Sequence, residues 1–351
     1  MYQFKTETKI GKTRNVRGSS HSNAVSAISP THSMNAYNWR NRIFYALKPF
    51  IPRRLQIFLR RQVAQYKRKK YAHIWPIDPN AAEPPEGWTG WPDGKQFALV
   101  LSHDVETTKG YKKVLKLADL EEEMGFRSQF SFVPERYEKV EISLLEGLKS
   151  RGFGIGVHGL KHDGKLFSNK TIFKESSFRI NTYFEEWGTK AFTAPSMIRV
   201  HEWMHELNMN FAISTFDTDP FEPQSDGAST IFPYWVRGNS SNLGFLELPY
   251  TLPQDFTLQV ILGETTIDIW KQKLDWIALH GGMALLNSHP DYMNFGPGPC
   301  GHEEYPVAIY RDFLQYVKGC YKERYWHVLP GQVWNFWITH VQPQNLPSVA
   351  K

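Results

Sequence analysis

From residue 96 to residue 340, short and continuously apolar runs alternate with longer segments of helical periodicity, and few architectures can bury such a pattern. Strands are predicted over 97–102, 129–133, 154–158, 191–195, 211–215, 245–249 and 283–287, with an eighth near 326–329. Helices are predicted between most of them, over 109–124, 142–149, 169–187, 266–278 and 306–317. Runs that are apolar on both faces suit parallel strands covered by helices. Seven or eight such units predict an α/β chain folded as an irregular (β/α) barrel, in one domain over 96–340. Neither a shorter internal repeat nor a nucleotide-binding glycine loop interrupts the pattern.

The flanks have a different character. Residues 1–70 carry 16 Lys and Arg against one acid, Glu7, whereas residues 71–351 carry 25 against 34. The net charge of +6 therefore belongs to a basic N-terminal extension. Its first part, 1–39, is polar and expected to be disordered. Residues 40–70 hold 11 Lys and Arg and no acid, and Leu55, Phe58, Leu59, Val63 and Tyr66 recur at helical spacing. A basic amphipathic helix of this kind lies on an anionic membrane surface, or else covers an apolar face of the main domain with its arginines solvated. Residues 71–95, with five prolines and three tryptophans, read as an ordered connector, and 341–351 as a tail.

Composition also narrows the setting. No apolar run is long enough to span a bilayer, and the first 30 residues lack the apolar stretch of an export signal. Cys300 and Cys320 cannot build a disulfide framework or a four-cysteine zinc site. A cytoplasmic protein is expected, peripheral on the inner membrane surface at most. The acidic balance of the barrel argues against nucleic acid entering it, although the extension alone could bind a polyanion.

Barrel chemistry gathers at the C-terminal ends of strands. The first predicted strand runs into Ser102-His103-Asp104-Val105-Glu106, and the third into His158-Gly159-Leu160-Lys161-His162. The fifth leads to Asp217 and Asp219, and the last clear one to His289. Two histidines four apart, brought onto one face of a helical turn, can reach one zinc-like ion, with a carboxylate as third ligand. The chain's 13 histidines would give that spacing about 0.5 times by chance, so the pair gains weight only from its company. Asp104 and Glu106 are two apart and share a face on a strand, so one can bind a cation while the other acts as base. A rival motif, His201-Glu202-Trp203-Met204-His205, matches the zinc-peptidase pattern. Its short helix is expected on the outer ring, away from the catalytic rim.

These strand-end motifs, in this order, resemble the NodB-type polysaccharide deacetylase family over about two thirds of the chain. The resemblance implies an irregular (β/α) barrel that removes acetyl groups from carbohydrates with a divalent metal ion, zinc by ligand type. It implies His158 and His162 as metal ligands and His289 as general acid. Asp104 falls at the family's base position and Val105 where a ligand is usual, so Glu106 would supply that ligand. The reverse assignment, with Asp104 as ligand and Glu106 as base, stays open. The implied partner is an N-acetylated glycan or sugar intermediate, lipid-linked if the basic helix binds bilayers. Two positions depart from the family pattern: Thr193 stands where an arginine usually orients the base, and Ala212 where an aspartate is common. Either Arg199, Asp217 and Asp219 rebuild the site, or the chain is a catalytically impaired carbohydrate-binding or scaffolding homologue.

Overall fold

A nine-residue run, Phe97–Val105, is buried along its whole length and forms the central strand β1. The computed structural model describes residues 51–137, 139–238 and 243–341. The expected disorder of 1–39, the start of the 40–70 segment and all but the first residue of the tail lie outside the described residues.

Strands β2 (Gln129–Phe132), β3 (Gly154–His158), β4 (Ala191–Thr193) and β5 (Phe211–Ala212) follow β1 in parallel, each paired with the one before. An antiparallel hairpin comes next, β6 (Tyr234–Arg237) and β7 (Gly244–Glu247), with β7 parallel to β5. Strand β8 (Met283–Ser288) returns to β1 in the register Ala98↔Met283 to His103↔Ser288. The remaining gap is spanned by a single bridge, Leu252↔Leu286, with the amides of Thr251 and Leu252 both donating to the Leu285 carbonyl. The fold is thus an irregular (β/α) barrel, as the sequence pattern predicts. A two-residue pair, β9 (Met293–Asn294) with β10 (Tyr305–Pro306), lies off the barrel.

The eighth predicted strand exists as β11 (Tyr325–His327), but it adds no stave. It pairs with only the first three residues of β1, filling the lower half of an edge whose upper half takes β2. The hairpin strand β6 is four residues long and only partly buried, and its apolar run Tyr234-Trp235-Val236 is too short to show a period.

Outside the sheet lie α1 (Arg53–Lys70), α2 (Val114–Glu123), α3 (Ile142–Ser150), α4 (Lys170–Glu186), α5 (Asp268–His280), α6 (Val307–Tyr321) and α7 (Pro330–Phe336). The predicted helix 109–124 is broken into a single turn, Thr108–Tyr111, and α2. Buried Trp270 and Phe313 join α5 to α6, with ring centroids 5.3 Å apart. In the connector, Trp91 donates its indole N–H to the Gly281 carbonyl at 2.8 Å and its ring lies beside Phe336 of α7.

One glycine sets the path of the chain toward the site. Gly159, directly after β3, has φ +61°, and a Cβ there would stand 2.2 Å from Cγ of Pro195, which follows β4. Both the left-handed backbone and the close approach need the missing side chain. Replacing Gly159 with Ala is expected to cost about 1–3 kcal/mol, read as a lower urea midpoint with an unchanged slope.

Candidate metal and catalytic site

Alternation along β1 sends its polar residues to two different places. His103 turns to the helix layer, where Nδ1 meets Ser288 Oγ at 2.8 Å and Nε2 meets the buried Glu121 carboxylate at 2.7 Å. Asp104 and Glu106 instead approach the histidines that follow β3. Asp104 Oδ1 lies 3.8 Å from His158 Nδ1, and Glu106 Oε1 lies 3.0 Å from His162 Nε2 and 4.0 Å from His158 Nε2.

Neighbouring groups fix how these side chains present themselves. His158 Nδ1 is 3.2 Å from the Thr193 carbonyl oxygen. A carbonyl only accepts, so Nδ1 carries the proton and Nε2 keeps its lone pair. Burial pushes the His158 pKa down, against the pull of Asp104, and the ring is neutral at pH 7. Burial alone would raise the Glu106 pKa, but His162 first, then His289 and His158, hold it well below the usual carboxylate range. For His162 burial acts downward and the Glu106 carboxylate overrides it, leaving the pKa raised. The two histidines meet through an irregular bend, not the helical turn their spacing suggests. Gly159 and His162 both take left-handed φ values, +61° and +52°, and the ring centroids come to 4.9 Å.

Ligand atoms of Glu106, His158 and His162 all lie within 4.8 Å of one another, and no other such group of three occurs among the described residues. Asp104 Oδ1, His158 Nε2 and His162 Nε2 are buried without a hydrogen-bond partner. Leaving a buried polar atom unpaired costs about 1–3 kcal/mol, so Asp104 Oδ1 and His158 Nε2 together, with His162 Nε2 met only by the Glu106 carboxylate at 3.0 Å, would be a defect unless something else satisfied them. Two imidazoles and a carboxylate are the donor set of a zinc-like divalent cation with open positions, and these residues fit one.

His289, just past β8, faces the same cluster, with Nε2 3.9 Å from Glu106 Oε1. On its far side Nδ1 donates to Asp255 Oδ1 at 2.7 Å, while its own amide and the Tyr305 hydroxyl both donate to Asp255 Oδ2 at 2.9 Å. Burial would lower the His289 pKa, but Asp255, helped by Glu106 and Asp104, raises it to about 10. Asp104 Oδ2 accepts from Asn287 Nδ2 at 2.8 Å, and Glu106 Oε2 from the Tyr292 hydroxyl at 3.0 Å. Asp255, Asn287 and Tyr292 are contacts that the sequence reading misses. Asp255 lies beyond the end of the sixth predicted strand, where a search of every strand end for carboxylates would have found it. Asn287 and Tyr292 carry no acid–base signal of their own.

The departures from the family pattern resolve into specific contacts. Arg199 does not reach Asp104: its guanidinium donates to the Met197 carbonyl and to Asp226, and stands 5.5 Å from the Phe216 ring centre. Asn287 makes the contact to Asp104 instead. Ala212 is fully buried among core residues. Asp217 is paired with buried Lys273, and Asp219 accepts from the Tyr250 hydroxyl and the Phe221 amide, so neither joins the cluster.

The peptidase-like motif comes apart in the same way. Its helix is a single turn, His201–Met204, which leaves His205 beyond the last helical residue. Burial and the nearby Arg199 and His205 lower the His201 pKa to about 3, and the nearest carboxylate, Glu247, is 3.8 Å away. A cleft of about 490 Å³ opens at the other end of the barrel, among the strand starts Gln129, Gly154 and Ala191. It is remote from the cluster and on the face where barrels do not place their chemistry.

Fold and strand-end geometry together define a NodB-type polysaccharide deacetylase fold. Among solved structures, a candidate polysaccharide deacetylase from Mycobacterium smegmatis superposes with a TM-score of 0.54 at 15% identity, covering 76% of this chain and 98% of its own. PuuE allantoinase superposes with a TM-score of 0.57, also at 15% identity, covering 77% of this chain and 99% of its own. No family model matches the sequence. No curated protein matches it either.

The cluster yields a direct binding test. The purified chain dialysed against zinc or cobalt(II) is expected to retain roughly one ion, with a Co(II) absorption spectrum of low coordination number. The His158→Ala, His162→Ala double variant is expected to retain none, and Tyr292→Phe to weaken retention by about tenfold. Glu202→Gln, in the peptidase-like motif, is expected to leave it unchanged.

Proposed function

We propose that this protein is a metal-dependent hydrolase that removes the acetyl group from an N-acetylated sugar or polysaccharide. The observation that carries the reading is the meeting of Glu106, His158 and His162, with Asp104 on one side and the Asp255–His289 pair on the other. The deacetylase fold supports it, and the name of the M. smegmatis neighbour, a polysaccharide deacetylase, favours a carbohydrate substrate.

Glu106, His158 and His162 would hold the cation, zinc by donor type. When bound, a divalent ion polarises the acetyl carbonyl and lowers the pKa of a water toward about 7. Asp104 is the base: Asn287 holds one oxygen, and the other has unengaged lone pairs with which to take a proton from the attacking water. His289 is the acid: Asp255 keeps it protonated and leaves Nε2–H directed into the site. As the water oxygen bonds to the acetyl carbon and the carbon–nitrogen bond breaks, that proton goes to the departing sugar nitrogen, and acetate leaves. The assignment takes Glu106 as ligand because its oxygen, not that of Asp104, belongs to the group within 4.8 Å.

Acetate release from N-acetylglucosamine oligomers tests this. Asp104→Asn is expected to lower kcat by about a hundredfold or more, with the bound ion retained. Asn287→Ala, which frees the base without removing it, is expected to cost about tenfold in kcat with KM little changed. Ion binding and glycan binding without acetate release would instead identify a catalytically impaired homologue. Because an allantoinase shares the fold, allantoin is assayed in parallel, and turnover of it alone would reassign the substrate.

A further inference from the structure

Helix α1 is built inside out. Its basic side chains face the protein: Arg53 pairs with Glu303 at 2.6 Å, Arg61 donates to the Val260 carbonyl at 3.0 Å, Lys67 to the Pro220 carbonyl at 2.6 Å, and Arg68 pairs with Glu264 at 2.5 Å. Of its apolar residues only Ile57 and Ala64 are buried. Leu55, Phe58, Leu59, Val63 and Tyr66 are 47%, 55%, 48%, 54% and 67% exposed. Their spacing of 3, 4, 8 and 11 residues from Leu55 puts all five on one outward stripe. Of the two placements the sequence leaves open, the one in which the apolar face covers the barrel with its arginines solvated is therefore not the one the structure has.

Helix α1 packs near the candidate site, with its stripe turned outward. Arg60 stands 4.8 Å from the ring centre of Phe256, Phe256 is 4.6 Å from Tyr292, and the Tyr292 hydroxyl donates to Glu106. The loops that α1 grips all follow strand C-terminal ends, on the same side as His289.

We propose that α1 docks the barrel on an anionic phospholipid surface, with its apolar stripe in the interface and the catalytic opening facing the headgroups. Charge selects this occupant. Arg54, Lys69 and Lys70 are exposed and α1 contains no acidic residue, so every charge the helix itself sets beside the stripe is positive. A second copy would bring like charges together, whereas acidic lipid headgroups neutralise them. No helix among the described residues is long and apolar enough to cross a membrane, and α1 lies on the surface instead. The substrate would then be an acetylated sugar carried on a lipid, a step that rests on the deacetylase reading while the docking does not.

Flotation of the full chain with phosphatidylcholine vesicles, with and without added phosphatidylglycerol, tests the docking. The chain is expected to float with the anionic vesicles about tenfold better than with the neutral ones and to be released by salt. The Phe58→Asp, Leu59→Asp variant, its melting temperature and ion binding unchanged, is expected to lose about tenfold or more of that binding. Failure of the wild type to float, or undiminished flotation of the variant, overturns the proposal. So does a dimer in solution that this variant disperses, since the stripe is then a self-association face. The variant should still release acetate from a soluble oligomer at the wild-type rate. A wild type that floats but releases no acetate keeps the docking and removes only the lipid-borne substrate.

Discussion

Lone pairs without protons to meet them govern this molecule. Asp104 Oδ1 and His158 Nε2 are buried without a hydrogen-bond partner, at about 1–3 kcal/mol each, while His162 Nε2 faces the Glu106 carboxylate at 3.0 Å. For a domain whose whole margin is about 5–15 kcal/mol, two such atoms in one place are an appreciable fraction of its stability. Packing cannot repair the loss, because the groups are polar and already desolvated. A cation held by Glu106, His158 and His162 would take up the His158 lone pair and return binding energy to the fold, leaving Asp104 Oδ1 for the chemistry.

Strand register decides which lone pairs end up unsatisfied. The pairing of His158 with Thr193 across β3 and β4 brings the Thr193 carbonyl to Nδ1, and that one hydrogen bond directs the free lone pair to Nε2. The pairing of β1 with β8, Ser102 opposite Asn287, brings the Asn287 amide to Asp104. A slip of one residue in either ladder would turn its side chains to the other face and break the contact that ladder makes. The orientation of the site is therefore written into backbone hydrogen bonds.

The sequence discloses the fold well because parallel strands buried on both faces must be apolar throughout, and runs such as 97–102 and 283–287 cannot be disguised. It discloses Asp104, Glu106, His158, His162 and His289 because they follow those runs immediately. It fails where a contact depends on distance along the chain. Asp255 and His289 are 34 residues apart, and Asn287 and Asp104 are 183 apart, joined only by closure of the barrel. The bend that joins His158 to His162 is hidden for another reason: a non-glycine residue at φ +52° has no composition signature. Motif rarity alone misleads, since His201-Glu202-Trp203-Met204-His205 is the less common match and the less organised site.

Helix α1 shows a different limit, in which periodicity is read correctly and orientation is left open. An amphipathic pattern says that two faces differ; it does not say which one meets the protein. Here the barrel offers carbonyls at the end of the π-helical turn Phe256–Leu262 and carboxylates at Glu264 and Glu303, groups that call for donors and cations. Arginine and lysine satisfy them through long side chains, so the backbone stands off and the apolar residues are left outside. Exposed ion pairs contribute little each, and the buried area of Ile57 and Ala64 is small, so adhesion to the barrel alone is weak reason to keep five large apolar groups in water. A surface that accepts both the stripe and its flanking charge removes that cost, and an anionic bilayer is such a surface.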